Sequence, residues 1–433
     1  MTAGFSDIRD RPWREPLAAA SAVRALEGPV ALVSDGGTLG RWSFVGAGPD
    51  LVHVGSWDGA PALSQPHAAG VVGLFAYDAG ARGATGPREP VWPDLMLARY
   101  PALLAFDHRD RVVRVIGRGA DLARARAAAD RADAWLSAAE DLARPPAPAE
   151  AFEPEAPEEA YLDSVADVVS RIAAGELFQA NIARAWSGRL IPGHDPFDVL
   201  LRLADRAAAY GAFWRLGDLA IVSNSPEMFL TFDPADRRVE TRPIKGTRPR
   251  AADPAEDARL IGELAASAKD RAENLMIVDL MRNDLARVAE PGSVAVDRLF
   301  EIETHPTVHH LVSTVSARAR GDVGAAEMLD ATFPPGSITG APKHQAMKVI
   351  ASHEPPRGPW CGSLFHIDGE GRLTASVLIR TASFRRSGEV WDYRALAGAG
   401  IVADSDPAAE LAETEAKISA LREALVGVSN PCR

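Results

Sequence analysis

Residues 141–160 read DLARPPAPAEAFEPEAPEEA, and no other stretch limits the fold of this 433-residue chain so directly. Proline fixes φ and removes backbone donors, while alanine and glutamate offer little apolar surface, so the segment builds no core of its own. Residues 144–160 therefore read as a linker between an N-terminal subdomain over 1–143 and a larger domain over 161–427. The two sides need not fold independently, because strands from both can enter one sheet.

Either side is long enough to bury a core. The composition, 47% hydrophobic and 24% charged, is that of a globular protein. No run of 18 apolar residues occurs, so no membrane span is expected, and MTAGFSDIRDRPWREP lacks the apolar centre of a signal peptide. Two cysteines, Cys361 and Cys432, make no disulfide framework, so the expected location is the cytoplasm. A net charge of −12 argues against nucleic acid or an acidic membrane as partner. An anionic substrate would need local cations or a metal to hold it.

Before the linker, short apolar runs such as Val30–Val33 and Val71–Tyr77, bounded by Gly, Asp and Pro, read as strands. Residues 120–143, rich in Ala and Arg, read as a surface helix. After it, Tyr161, Val165, Val168, Val169 and Ile172 recur at helical spacing, with Gly175 as the stop. Leu177–Trp186 follows as a strand with Gln179 and Asn181 on one face. Asp253-Pro254 opens one long helix expected to reach Glu290, and Asp406-Pro407 opens another with Leu411, Ile418, Leu421 and Leu425 inward.

Several clusters can carry chemistry. Asp270 and Glu273 share a helix face, as do Glu410 and Glu413, with Lys417 one turn on. Carboxylates from two helices suit a hard cation such as Mg²⁺, although solvated acids on amphipathic helices look the same in sequence. Gly336-Ser337-Ile338-Thr339-Gly340-Ala341-Pro342-Lys343 leads into a helix, whose free N–H groups with Thr339 and Lys343 suit a carboxylate; a plain capped loop fits too. Ala397-Gly398-Ala399-Gly400 bares backbone to an anion, or is only a tight turn. Arg380, expected within a strand Leu373–Phe384, wants a carboxylate partner. His310 is an acid/base candidate or a satisfied core histidine. Glu227, between apolar neighbours, suits a carboxyl kept protonated as a general acid, or a strand-edge acid. Lys245 stands among arginines whose like charge favours a free amine, or is one more cation in a basic loop.

Taken in order, these segments resemble the chorismate-utilising enzymes. The resemblance rests on Ser-Pro-Glu at 225–227, Pro-Ile-Lys-Gly-Thr-Arg-Pro-Arg at 243–250, and Ala-Glu-Asn-Leu-Met-Ile-Val-Asp-Leu-Met-Arg-Asn-Asp-Leu at 272–285. It continues through His-His-Leu-Val-Ser at 309–313, the 336–343 loop, Ile-Arg-Thr-Ala at 379–382 and Gly-Ile-Val-Ala-Asp-Ser-Asp-Pro at 400–407. The N-terminal part is similar more loosely, through Gly40–Phe44 and Gly73–Asp78. The resemblance implies an anthranilate-synthase-like α/β (α+β) body of layered, mainly antiparallel sheets with flanking helices. It implies Mg²⁺ held directly by Glu273 and Glu413, with Asp270 and Glu410 behind bound waters. Arg380 matches the grip on the enolpyruvyl carboxylate. Thr339, Gly340, Gly398, Gly400 and Lys417 match the surroundings of the ring carboxylate and metal, and His310 lies beside the ring.

Two positions imply the reaction. Where isochorismate and salicylate synthases carry a water-activating lysine, this chain has Gln179; where anthranilate synthases usually carry alanine, it has Lys245. That pair matches the aminodeoxychorismate synthase branch, in which the lysine attacks the ring and Glu227 protonates the leaving hydroxyl. Addition of ammonia at C2, as in anthranilate synthase, is the alternative, and a non-catalytic chorismate-binding subunit a more distant one. Neither cysteine sits in a glutaminase-like setting, so ammonia is expected from a partner glutamine amidotransferase subunit, and no lyase extension is expected. Relatives carry Gly-Tyr, the tyrosine near the pyruvyl group, where this chain has Phe365-His366; His366 either replaces that tyrosine or alters substrate handling.

Overall fold

The computed structural model describes residues 4–37, 39–57, 70–305 and 308–427; Cys432 lies outside them. Its frame is a pair of large antiparallel sheets. The first runs Phe5–Pro12, Val112–Gly119, Ala102–Asp107, Trp42–Gly46, Val30–Val33, Tyr210–Leu216, Leu219–Ser225, Thr381–Ser387, Val390–Ile401, Gln179–Arg189 and Gly340–Ala341, with Glu153–Pro154 added beside Gln179–Arg189. The second runs Ile244–Pro249, Val308–Arg318, Arg238–Thr241, Met228–Asp233, Leu373–Val377, Ser363–Ile367, Gly70–Phe75, Leu95–Tyr100 and Leu51–Gly55, with Ala295–Thr304 on Val308–Arg318. Both sheets mix strands from before and after residue 144, as the layered architecture expected from the sequence allows.

Between the sheets lie Val30, Val72, Leu74, Tyr100, Trp214 and Leu364, on continuous apolar strands that are buried on both faces. The Ala-rich helix Leu122–Ser137 turns Ala125, Ala128, Ala129 and Ala132 inward, letting it sit close on the first sheet. The helix Pro407–Val426 covers the same sheet through Ile418, Leu421 and Leu425. The helix Ala268–Ala286 covers the second sheet through Ile277, Val278, Met281 and Leu285. Among the described residues no helix is long and apolar enough to cross a membrane.

The Pro-rich segment lies along the first sheet. Ala149 bridges Leu190 and its N–H donates to the Leu425 carbonyl at 3.0 Å, while Phe152 stacks on Trp186 with centroids 5.9 Å apart. It thus packs onto apolar surface that other elements supply.

Two local expectations need correction. The single helix from Asp253 is two, Pro254–Ala266 and Ala268–Ala286. Ser267 leaves the helical region (ψ 107°) and its hydroxyl accepts from the Asp270 N–H at 3.2 Å, capping the second helix. The strand expected over Leu373–Phe384 is likewise two, and Arg380 belongs to neither. There the chain leaves the second sheet and enters the first, and Arg380 takes a φ of 51°.

Candidate active site

The sheet crossing at Arg380, the ends of Gln179–Arg189 and Val390–Ile401, and the starts of the two acidic helices meet in one place. Glu227 sits at its floor, between Leu219–Ser225 of the first sheet and Met228–Asp233 of the second. Only 6% of it is exposed, and burial pushes its carboxyl upward, opposed by the Ser337 hydroxyl, which donates to Oε1 at 2.6 Å, and then by Lys245, Lys417 and Arg380. A buried carboxyl whose pKa is raised and that lies in the field of three cations suits the general-acid role expected from the sequence.

Lys245 reaches this centre through a bulge. Pairing with Val308–Arg318 slips between Ile244 and Thr247, and Gly246 takes a φ of +87° with its Cα against the Asp270 side chain. The amine ends beside Gly400: a Cβ built there would lie 3.1 Å from Lys245 Nζ and 3.4 Å from the Gln179 amide. Glycine at 400 is what lets the lysine and the glutamine meet. The like-charge surround expected for Lys245 is absent. Arg242 pairs with Glu303, Arg248 with Glu263 and Asp270, and Arg250 with Asp257. The charge of Lys245 in turn bears on Glu227, Glu273 and Glu413.

The acidic groups come from two capped helix starts. Asp270 lies in the first turn after Ser267 and accepts from Arg248 Nη2 at 3.2 Å. Glu273 follows one turn on; burial raises its pKa, Lys245 and Lys269 oppose this, and the charges of Asp270 and Glu413 add to it. Glu410, in the first turn after Asp406, is raised by burial against a 2.7 Å bond from the Ser405 hydroxyl. Burial also works to raise Glu413, but Lys417, 2.5 Å away, outweighs it and leaves the pKa lowered. Lys417 Nζ also donates to the Gly398 carbonyl at 3.0 Å.

Arg380 has its carbonyl held by the Asn224 N–H at 3.0 Å, while its guanidinium forms no ion pair among the described residues. Burial lowers its pKa and the charge of Glu227 supports it. A non-glycine residue at positive φ with an unpaired, mostly buried cation marks a binding position. His310 accepts from or donates to Thr247 Oγ1 through Nδ1 at 2.9 Å; burial, then His305 and Arg380, bring its pKa down to about 4, so its ring is neutral.

The 336–343 loop divides in its roles. Thr339 is fully buried with its hydroxyl donating to the Pro335 carbonyl, and Gly340 (φ +141°) lies flat on the Gln179 carbonyl. Lys343 does not join them, because Nζ bonds Asp284 Oδ2 at 2.7 Å and the Thr332 and Pro334 carbonyls. It is a structural cation. His366 stands apart as well: it packs on Phe44 (centroids 4.4 Å) and lines a cavity of about 580 Å³ with Phe232 and Leu364. Glu227, Lys245, Arg380 and the acidic residues of the two helix starts do not line that cavity. Ser337 and Asn181 are the groups sequence reasoning left without a role, although both lie inside motifs it quoted.

Burial leaves Cys361 fully covered with its thiol pushed well above the ordinary range, so it is no nucleophile. No cluster of three or more acidic, histidine or cysteine ligands exists among the described residues.

Comparisons with known proteins point to one family. Residues 53–423 match the family described as chorismate binding enzyme. Over 362 residues the chain is 41% identical to aminodeoxychorismate synthase component 1 of Klebsiella aerogenes, an alignment covering 82% of this chain and 76% of that one. It is 40% identical over 290 residues to anthranilate synthase component 1 of Aeropyrum pernix, covering 65% of each. The crystal structure of anthranilate synthase component I from Streptococcus pneumoniae shares the fold at a TM-score of 0.76 and 26% identity, covering 88% of this chain and 92% of that one.

Proposed function

The chain belongs to the chorismate-binding enzymes, and from that premise we propose that it converts chorismate and ammonia to 4-amino-4-deoxychorismate. The observation that carries this reading is that Lys245 Nζ and the Gln179 amide both stand beside Gly400, with the charge of Lys245 reaching the buried Glu227. An amine able to attack the ring and a neutral amide at the position that the sequence matches to a water-activating base both support this reading.

The arrangement supports the following steps. Arg380 takes one substrate carboxylate, and Lys417 with the backbone around Gly398 and Thr339 faces the other. In its unprotonated form, with its proton already lost to solvent, the Lys245 amine bonds to C2, the ring double bonds shift, and the C4–O bond breaks as Glu227 gives its proton to the departing hydroxyl, releasing water. Ammonia then bonds to C4, the double bonds shift back, and the C2–N bond to Lys245 breaks. Glu227 takes the surplus proton from the new amine. His310, neutral and fixed by Thr247, fits a hydrogen-bonding neighbour of the ring rather than a cation.

Mg²⁺ fits the acidic helix starts. Glu273 and Glu413 come from different helices and oppose each other's charge, as do Glu410 and Glu413, which a divalent ion would relieve. Glu273 and Glu413 would hold it directly, with Asp270 and Glu410 behind waters; Lys417 now shares Glu413. The ion would supply charge neutralisation for the substrate carboxylates. Ammonia would come from a glutamine amidotransferase partner, in keeping with the component 1 designation of the Klebsiella relative.

The test is product identification with chorismate, Mg²⁺ and ammonium chloride, with and without aminodeoxychorismate lyase. p-Aminobenzoate only in the presence of the lyase is the expected result. Fluorescent anthranilate without the lyase would replace this reading with C2 amination.

A further inference from the structure

Asn181 follows Gln179 by two positions on one strand, so both side chains project from the same face. Its backbone is held at both ends: the N–H donates to the Thr339 carbonyl at 2.9 Å, and the carbonyl accepts from Arg357 Nη2 at 2.6 Å. Only 8% of the residue is exposed, yet Oδ1 is buried with no hydrogen-bond partner. Oδ1 points at the glycine strand, 2.7 Å from where a Cβ on Gly398 would stand, with the Trp360 ring edge 2.9 Å from the same point. The Gly398 carbonyl holds Lys417, whose charge reaches Glu227. A buried, unpaired carbonyl fixed at that spot is unfavourable unless a donor visits it.

We propose that Asn181 binds the incoming ammonia, accepting one of its N–H groups and leaving the nitrogen lone pair directed at the ring. This rests on the reading that the chain aminates chorismate. The substrate carboxylates are acceptors and gain nothing from a second carbonyl, whereas ammonia has three N–H donors and needs its single lone pair free. A neutral carbonyl holds ammonia without the pull toward ammonium that a carboxylate exerts. Ser337 already engages Glu227 Oε1, and the Gln179 amide, likewise unpartnered, offers a second acceptor on the same face. Any side chain at Gly398 or Gly400 would press on these amides, since a Cβ there would lie 2.7 Å from Asn181 Oδ1 and 3.4 Å from the Gln179 amide.

The experiment is steady-state kinetics of Asn181→Leu and Asn181→Asp, with ammonium titrated at saturating chorismate and then the reverse. Asn181→Leu is expected to raise KM for ammonium about tenfold or more, the loss of one good hydrogen bond, with KM for chorismate unchanged within about twofold. Asn181→Asp keeps the shape and an acceptor but draws ammonia toward ammonium, so it is expected to hold KM for ammonium within about threefold while lowering kcat about tenfold, and it decides the matter if the leucine variant does not fold. A rise in KM for chorismate instead would make Asn181 a ligand of the ring hydroxyl and overturn the proposal. No change in either constant, or a tenfold rise for ammonium in Asn181→Asp, would overturn it as well. Product identity in the wild-type control separates this outcome from the other reading: anthranilate there would refute C4 amination while leaving the ammonium titration informative.

Discussion

Two arginines of this chain, Arg357 and Arg380, have opposite surroundings. Arg357 is 2% exposed, bonds Glu354 through Nε at 2.8 Å and Nη2 at 2.9 Å, and caps the Asn181 and Ile338 carbonyls. It is held between Tyr77 and Trp360, 4.6 and 5.0 Å from their centroids. Glu354 in turn accepts from the Ala183 N–H at 2.8 Å. Arg380 has almost the reverse: strained backbone, no carboxylate, and a guanidinium whose charge burial disfavours. A cation with all its bonds made is part of the fold, and one left short of them is waiting for an anion. The same contrast separates Lys343, tied to Asp284, from Lys245, which ends at Gly400.

The sharpest way to break the contrast is at the lysines. Lys245→Ala is expected to lower kcat for aminodeoxychorismate by at least about 10³-fold without lowering Tm, because a covalent nucleophile is lost and no packing is. Full ammonia-dependent turnover in that variant would end the covalent role. Next come the arginines. Arg357→Met leaves Glu354 buried and uncompensated and is expected to cost about 3–5 kcal/mol in denaturant unfolding. Arg380→Met should leave stability equal or higher and lower kcat/KM for chorismate by about 10²–10³-fold, the worth of two charge-assisted bonds. If the two variants lost stability alike, the distinction drawn here would be wrong.

Glu227→Gln tests the floor of the cleft, with kcat expected to fall about 10²–10⁴-fold. A carboxyl raised in the fold lends its stability while protonated, below its unfolded value, and loses it as pH climbs through the folded one. The amide cannot ionise, so Tm at neutral pH should stay level or rise by about 1–2 °C. The smallest effect concerns His310. Because its ring titrates near 4, kcat/KM should show no inflection from it between pH 5.5 and 8, and His310→Asn should leave the shape of the profile in that range unchanged, within about twofold at any pH.

Much of this site was legible in the sequence because its residues sit in short ordered motifs whose local elements are simple. The cap Asp406, the Gln179 strand and the glycine strand opposite it follow from capping and alternation. What could not be read depended on partners far along the chain. Nothing near Lys343 announces Asp284, and nothing near Arg242, Arg248 or Arg250 announces that distant carboxylates take up their charge. Leu373–Phe384 is nearly continuous in its apolar and hydroxyl character, so the turn that lifts Arg380 out of the sheet leaves no local mark. Gly and Pro are absent around Ser267, and one long helix was the natural reading there.

The interleaving of the sheets also sets an order of events during synthesis. The strand Gly70–Phe75 pairs with Leu95–Tyr100 on one side, but its other neighbour is Ser363–Ile367. Val30–Val33 similarly waits for Tyr210–Leu216. At a ribosomal pace of about 5–20 residues per second, the first of these edges stays open for roughly 15–60 s while the intervening chain emerges. An unpaired apolar strand edge invites wrong pairing. For a nascent chain of this topology, the hazard falls on its earliest-made strands, and chaperone cover or slow aggregation kinetics must carry them until the last third of the message has been read.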